Sequence, residues 1–397
     1  MGLFDFLRGA RSDRFARRAT ARLRTLGWSG AITYDRAHFK LDLEGGGRVS
    51  LSELFLATRT FPASERDGAL GYALRPFVEP EAVQTYEEAA GDLLPVVLNR
   101  MHLESAKLVF GEASPNPPWR SLAGPLVVVA GLHRPRGVVY VGDEQLGMWD
   151  RSLDEVLERG ARNLRARGAN AFERREGGFF GSTYKDFYDP SRLLFPEMFE
   201  ALPLRGDPVA IALWDSCVVA TGSEEIEALN AMVAYAEWVF ERLPKPIALT
   251  PLILRNGGWR LFEPQEDELA PVLALTVKQR LYDDLQQTER LQAHFDPEGR
   301  KLFVAPLENL WDGASLVTWA HWPSEKPTLL PRADVIGLLP PDGGRVFRRW
   351  EDVERVCGPF PAEDGVYPAR HRAERWPDPD AWARLMSDFK APERFAG

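Results

Sequence analysis

Residues 125–142 read PLVVVAGLHRPRGVVYVG, and residues 152–167 read SLDEVLERGARNLRAR. The first stretch holds two β-branched runs, Leu126–Ala130 and Val138–Val141, joined by a turn containing Pro and Gly. That pattern predicts a β-hairpin. In the second, Ser152 and Glu155 have the spacing of a capping box. Leu153, Val156, Leu157, Ala161 and Leu164 then keep helical spacing until Gly168 closes the helix.

The unit of hairpin then helix recurs downstream. Ala171–Arg175 and Gly178–Thr183 are strand candidates meeting at Gly177, and a helix follows from Pro190, a favourable first position, to Ala201. Val209–Trp214 and Cys217–Ala220 turn tightly at Asp215–Ser216. Ser223 is the expected cap of the next helix, which reaches about Leu243. Leu252–Leu254 and Trp259–Phe262 flank Asn256-Gly257, the strongest short hairpin signal. The expected class is therefore α+β, with small antiparallel sheets built from repeated hairpin–helix units. The element order is similar to that of type III secretion chaperone folds, an analogy of order that says nothing of function.

Upstream, Ile32–Tyr34, Phe39–Leu43 and Arg48–Ser50 are short strand signals. Helical patterns follow over Leu51–Thr60, from Pro62 towards Val78, and over Glu81–Gly91. Ser114–Trp119 (SPNPPW) is a proline-rich break and the expected boundary. Downstream, Val277–His294 is polar and helical and is expected to be a connecting helix. Strands at Leu302–Ala305, Leu316–Trp319 and Val335–Leu338 follow, with helices at Trp350–Val356 and Asp380–Phe389. Four parts result: a basic amphipathic helix (1–26), an N-terminal α+β region (27–113), a central α+β domain (120–276) and a C-terminal α+β domain or extension (277–397).

The chain has 397 residues, 45% hydrophobic and 27% charged, a globular composition that allows two or three domains. A net charge of −9 argues against a nucleic-acid-binding surface. Apolar runs such as Leu126–Ala130 are far too short to span a bilayer, and the N-terminus lacks the apolar centre of a secretory signal. With only Cys217 and Cys357, no disulfide framework is expected, and free thiols fit the cytoplasm. Residues 1–26 set seven arginines against Asp5 and Asp13, a net +5 that leaves −14 on the rest. Phe15, Ala19, Leu23 and Leu26 share one face of that helix, and Arg14, Arg17, Arg18 and Arg22 another. The arginines could meet an acidic partner, a membrane surface or the protein's own acidic body. The reading adopted is a docked surface helix with a solvated arginine face, whose deletion leaves the fold intact.

The stretch from about Leu94 to Lys278 resembles the YtpQ-type family of bacterial proteins of unknown function. The resemblance rests on the two passages quoted first, on YKDFYDPSRLLF (184–195), PVAIALWDSCVVATG (208–222) and PLILRNGGWRLFEP (251–264). It implies an intracellular bacterial protein and no particular reaction.

No sequence-local chemistry emerges. None of the six histidines lies three or four residues from another, and there is no Cys-x-x-Cys, phosphate loop or Gly-x-Ser-x-Gly elbow. No cofactor or metal is expected. Cys217 is read as a small apolar strand residue, and Asp378 as a helix cap before Ala381. The candidate contact surface is the segment Tyr184–Arg192, with Tyr184, Asp189 and Arg192 as its recognition residues, joined by Arg14 and Arg18 of the basic helix. The structural alternative is that Asp189 caps the following helix, Arg192 pairs with it and the aromatics pack down. The function expected is a non-enzymatic protein-interaction or adaptor module whose partner is another protein. The alternative is a hydrolase or nucleotide-handling enzyme with a site assembled from distant acidic and basic residues.

Overall fold

The computed structural model describes residues 3–36, 39–45, 47–51, 54–55, 58, 66–78, 84–110, 117–134, 137–168, 171–184, 186–242, 246–264, 269–296, 302–311, 316–392 and 395. The chain divides into two compact units, residues 1–85 and 86–397.

The first unit contains α1 (Leu3–Thr25), the antiparallel meander β1 (Ile32–Asp35), β2 (Lys40–Leu43) and β3 (Arg48–Ser50), and α2 (Arg66–Val78). Its three strands fall where the sequence placed them. Phe15, Ala19 and Leu23 of α1 are buried in one cluster with Leu41, Val49, Leu70 and Leu74. Helix α1 is thus part of this unit's core, which reverses the expectation for its removal. Deleting residues 1–26 strips apolar burial worth roughly 1.5–3 kcal/mol per large side chain. Loss of the unit's cooperative thermal transition, followed by circular dichroism, is the expected outcome. Arg14 is exposed, while the Arg18 Nε donates to Asp67 on α2 at 2.9 Å, so that arginine meets the chain's own acid. The helical pattern expected at 51–60 falls largely outside the described residues.

The second unit runs α3 (Tyr86–Ala89), β4 (Leu93–Asn99), α4 (Arg100–Phe110), β5 (Trp119–Ala123), β6 (Leu126–Arg134), β7 (Gly137–Tyr140), α5 (Asp143–Trp149) and α6 (Leu153–Ala166). It continues through β8 (Phe172–Arg174), β9 (Phe180–Ser182), a 3₁₀ turn (Asp189–Leu194), α7 (Pro196–Glu200), β10 (Pro208–Trp214), β11 (Cys217–Gly222), α8 (Ile226–Arg242), β12 (Leu252–Arg255) and β13 (Gly258–Leu261). The long α9 (Ala270–Phe295) leads into β14 (Phe303–Val304), β15 (Leu307–Trp311), β16 (Leu316–Pro323), β17 (Thr328–Pro331), β18 (Val335–Leu339), β19 (Val346–Arg349), α10 (Trp350–Cys357), β20 (Arg370–Ala373) and α11 (Pro379–Ser387).

The α+β class is as expected, and so is the hairpin–helix repeat. One sheet orders β4-β6-β5, with β7 also on β6; a second orders β13-β12-β10-β11-β9-β8. Both are antiparallel throughout, whereas β14–β17 and β16–β18 in the C-terminal part are parallel neighbours. Residues alternate strictly across β10. Ala210 and Ala212 face Val128 and Ala130 of the first sheet, while Val209, Ile211 and Leu213 face α8 and the start of α9. Burial on both faces is why this strand reads as an unbroken apolar run.

Three sequence expectations change. Strand β4 pairs with β6 over all seven of its residues, so the segment after Thr85 belongs with the central region, and the division falls there instead of at 114–119. The expected helix Pro190–Ala201 breaks at Phe195, because Pro196 pushes the residue before it out of helical geometry (φ −122°, ψ 74°). Ser223 does not cap α8: its hydroxyl accepts from the Asp207 N–H at 2.9 Å. The Ser152–Glu155 capping box and the Asp378 cap are present as read. Asn256 and Gly257 both take positive φ, 53° and 71°, as the hairpin they announce requires. No described helix is long and apolar enough to cross a membrane.

Candidate functional site

The segment singled out in the sequence folds around one carboxylate. Asp186 accepts two hydrogen bonds from Arg192, both at 2.7 Å, and a third from the Tyr188 backbone N–H at 3.0 Å. Burial pushes its carboxyl upward, but the bonds and charge of Arg192 outweigh that and hold it below the ordinary aspartate value. The guanidinium also stacks 3.9 Å from the Tyr184 ring centre. Arg192 therefore pairs with Asp186, not with Asp189 as the structural alternative expected.

Asp189 lies on the other side of the turn and is wholly buried. It accepts from Ser182 Oγ at 2.5 Å, and Ser182 Oγ in turn accepts from the Val218 N–H. Burial raises the Asp189 pKa, and the carboxyl of Asp215, itself raised by burial, adds to the effect. Tyr184, Asp189 and Arg192 are thus brought together as supports of a loop, Asp189 and Arg192 buried and Tyr184 half-buried. Arg14 and Arg18 belong to the other unit.

The side chain this support displays is Phe187. It is 67% exposed and holds a left-handed backbone, φ 65°, which a bulky residue rarely adopts. Next to it, Tyr188 is buried and its hydroxyl lies 2.9 Å from His133 Nδ1 on β6. Opposite His133 in register stands Val138 of β7, and Tyr140 stands opposite Gly131. Directly paired residues share a face, so Val138 and Tyr140 are on the side of the sheet that the loop packs against. Val138, Val139 and Tyr140 are 36%, 44% and 45% exposed. Among the described residues β7 pairs only with β6, leaving its outer edge free.

A second feature is a cavity of about 250 Å³. It is walled by α9, the β5–β6 turn, the β12–β13 hairpin and residues 367–370. Asp283 and Asp284 of α9 both line it. Asp284 is fully engaged: Arg370 donates to it at 2.5 Å, the Leu307 N–H at 2.7 Å and Thr288 Oγ1 at 2.9 Å. Asp283 is only 4% exposed and has neutral donors, Gln279 Nε2 at 2.8 Å and Asn99. Burial, with a smaller push from Asp284, raises its pKa to about 7.

The sequence reading passed over these carboxylates because the helix looked like a solvated connector. Gln279, Asp283 and Gln287 recur every four residues and are all buried. That period was the available signal, and it resembles the polar face of a surface helix. Phe187 lies in the segment singled out and β7 is the expected second hairpin strand, but nothing in the sequence marked the exposed ring or the free edge. No group of His, Cys, Asp and Glu suited to a metal occurs among the described residues. Comparison of the chain with family models, curated proteins and solved structures finds no match.

Proposed function

We propose that this chain is a non-enzymatic protein-interaction module. It recognises another protein through the free edge of β7 and the adjoining Phe187. The observation that carries this reading is the apolar edge itself. A strand edge presents unpaired N–H and C=O groups that template a further strand, and protein edges are normally blunted by Lys, Pro or a covering element. Here the edge carries Val138, Val139 and Tyr140, which suits a partner supplying an extended segment. The backbone strain at Phe187 points the same way, since such strain costs of order 1–3 kcal/mol and concentrates at functional positions. Cytoplasmic residence belongs to the same reading, supported by two free thiols whose pKa values burial raises to about 11. So does kinship with YtpQ-type proteins, supported by the passages in residues 94–278.

Two substitutions separate display from support. Phe187→Gly relieves the left-handed strain and is expected to raise unfolding free energy by about 1 kcal/mol while weakening partner recovery at least tenfold. Val139→Lys places a charge on the edge and should weaken recovery with no loss of stability. The measurement is quantitative affinity capture from cell extract, paired with thermal melts. Equal recovery by wild type and both variants would sink the reading.

The enzyme reading draws on a different observation, the Asp283 carboxyl poised near neutrality, which is what proton transfer at physiological pH requires. Turnover of ester, phosphoester or nucleotide substrates that disappears in Asp283→Asn is the result that would favour it.

A further inference from the structure

The α9 cavity holds charges of opposite sign at different depths. In its wall, Asp284 and Arg370 neutralise each other in a buried ion pair. That leaves Asp283, whose described hydrogen-bond donors are both neutral amides. Towards the solvent, the lining includes two exposed arginines, Arg280 and Arg332. Arg332 is held by Glu351 at 2.7 Å and by Glu354 at 3.6 Å, whereas the described hydrogen bond of Arg280 goes to a neutral group, the Arg332 backbone carbonyl. The rest of the lining mixes apolar groups, Pro125, Leu261, Leu307 and Pro368, with Thr250, Thr276 and Tyr367. Arg370, wholly buried in the same wall, leaves its Nε without a partner among the described residues.

A buried carboxylate lacking a cation is costly, and a ligand ammonium would remove that cost. A cation alone would be repelled by the arginines at the rim. A molecule bearing an ammonium at one end and a carboxylate at the other satisfies both. The volume lies just under the range of ordinary ligand pockets, roughly 300–1,000 Å³, which limits the guest to a short chain. We propose that this cavity binds a small zwitterion of amino-acid size, its ammonium on Asp283 and its carboxylate at Arg280 and Arg332.

Binding should depend on pH through Asp283. The ionisable groups around it are Asp284, Tyr282 and Arg280 from α9, Tyr367 and Arg370 from the segment before and into β20, and Arg332 across the cavity. Of these Asp284 and Arg370 are fixed as a pair, and burial together with the Asp283 charge pushes both Tyr367 and Tyr282 upward, away from neutrality. Affinity for an ammonium therefore rises as pH passes through about 7.

The test uses the full chain, calorimetric titration and three probes: 4-aminobutyrate, butylamine and butyrate. The expected result is saturable binding of 4-aminobutyrate, at least tenfold tighter than butylamine, and none of butyrate. Asp283→Asn, a near-isosteric change, should weaken 4-aminobutyrate at least tenfold and abolish the pH dependence. Arg280→Gln should weaken 4-aminobutyrate while sparing butylamine. Failure of all three probes to bind overturns the proposal, as does binding that Asp283→Asn leaves unchanged. Butylamine binding as tightly as 4-aminobutyrate overturns the zwitterion. Retained thermal transitions in both variants show that lost binding is not lost fold.

Discussion

Arg370→Met is expected to lower the unfolding free energy by about 3–5 kcal/mol, the usual penalty for stripping one partner from a buried ion pair. Both side chains are essentially inaccessible, 0% for Arg370 and 3% for Asp284. Methionine replaces much of the arginine's apolar stem, so the loss is chiefly electrostatic. Asp284 would keep its bonds from Thr288 and the Leu307 N–H but lose its ion-pair partner while remaining only 3% exposed. The damage should be repaired when Asp284 is made neutral as well. The double variant, Asp284→Asn with Arg370→Met, should recover more than half of the deficit, because a buried pair is often replaceable by neutral groups although neither half tolerates the other's loss. Denaturant melts of the wild type, both single variants and the double variant measure this. Strict additivity would show that the two side chains do not act as a pair.

Asp283→Asn is expected to act in the opposite direction, and only as pH rises. The folded carboxyl titrates at about 7, well above the unfolded value near 3.9. A raised folded pKa contributes stability that is complete below the unfolded pKa and is lost as pH climbs through the folded one. The wild type therefore forfeits stability between about pH 4 and 7, up to roughly 4 kcal/mol for a displacement of about three pH units. Asparagine has no proton to lose. The variant's advantage over wild type should widen by about 2–4 kcal/mol across that window and then stay level. Urea midpoints at pH 4.5, 6 and 8 would show it, and a difference constant with pH would place Asp283 in water.

Most of the central architecture was legible because turn chemistry and period agree there. Asn256-Gly257 fixes a hairpin through positive φ at both positions, and Ser152 with Glu155 starts a helix at a definite residue. The division after Thr85 was hidden, because β4 owes its place to pairing with β6, 27 to 39 positions further along the chain, and not to any local pattern. Strands β17 and β20 were missed for the same reason, each being short and held by a partner far along the chain, while β15 and β19 pair with their chain neighbours β16 and β18 but are only five and four residues long. The loop at Tyr184–Arg192 was located correctly, but its wiring was not. Which of Asp186 and Asp189 meets Arg192 depends on how the chain turns at Phe187, a conformation no propensity favours. The cavity was illegible since it joins residues 124, 283 and 370, and a polar stripe on a helix has the same period whether it faces water or a buried pocket.

The Asp284–Arg370 contact also sets a clock. The two residues are 86 positions apart. At roughly 5–20 residues per second, a ribosome adds the second about 4–17 s after the first. Through that interval the nascent chain holds a carboxylate whose counter-charge has not been made. Helix α9 cannot seal its inner face until then, although its first turns can already cover Val209, Ile211 and Leu213 of the central sheet. The ion pair therefore cannot form before residue 370 is translated, and slow codons between these two positions would prolong the interval in which Asp284 stands without its partner.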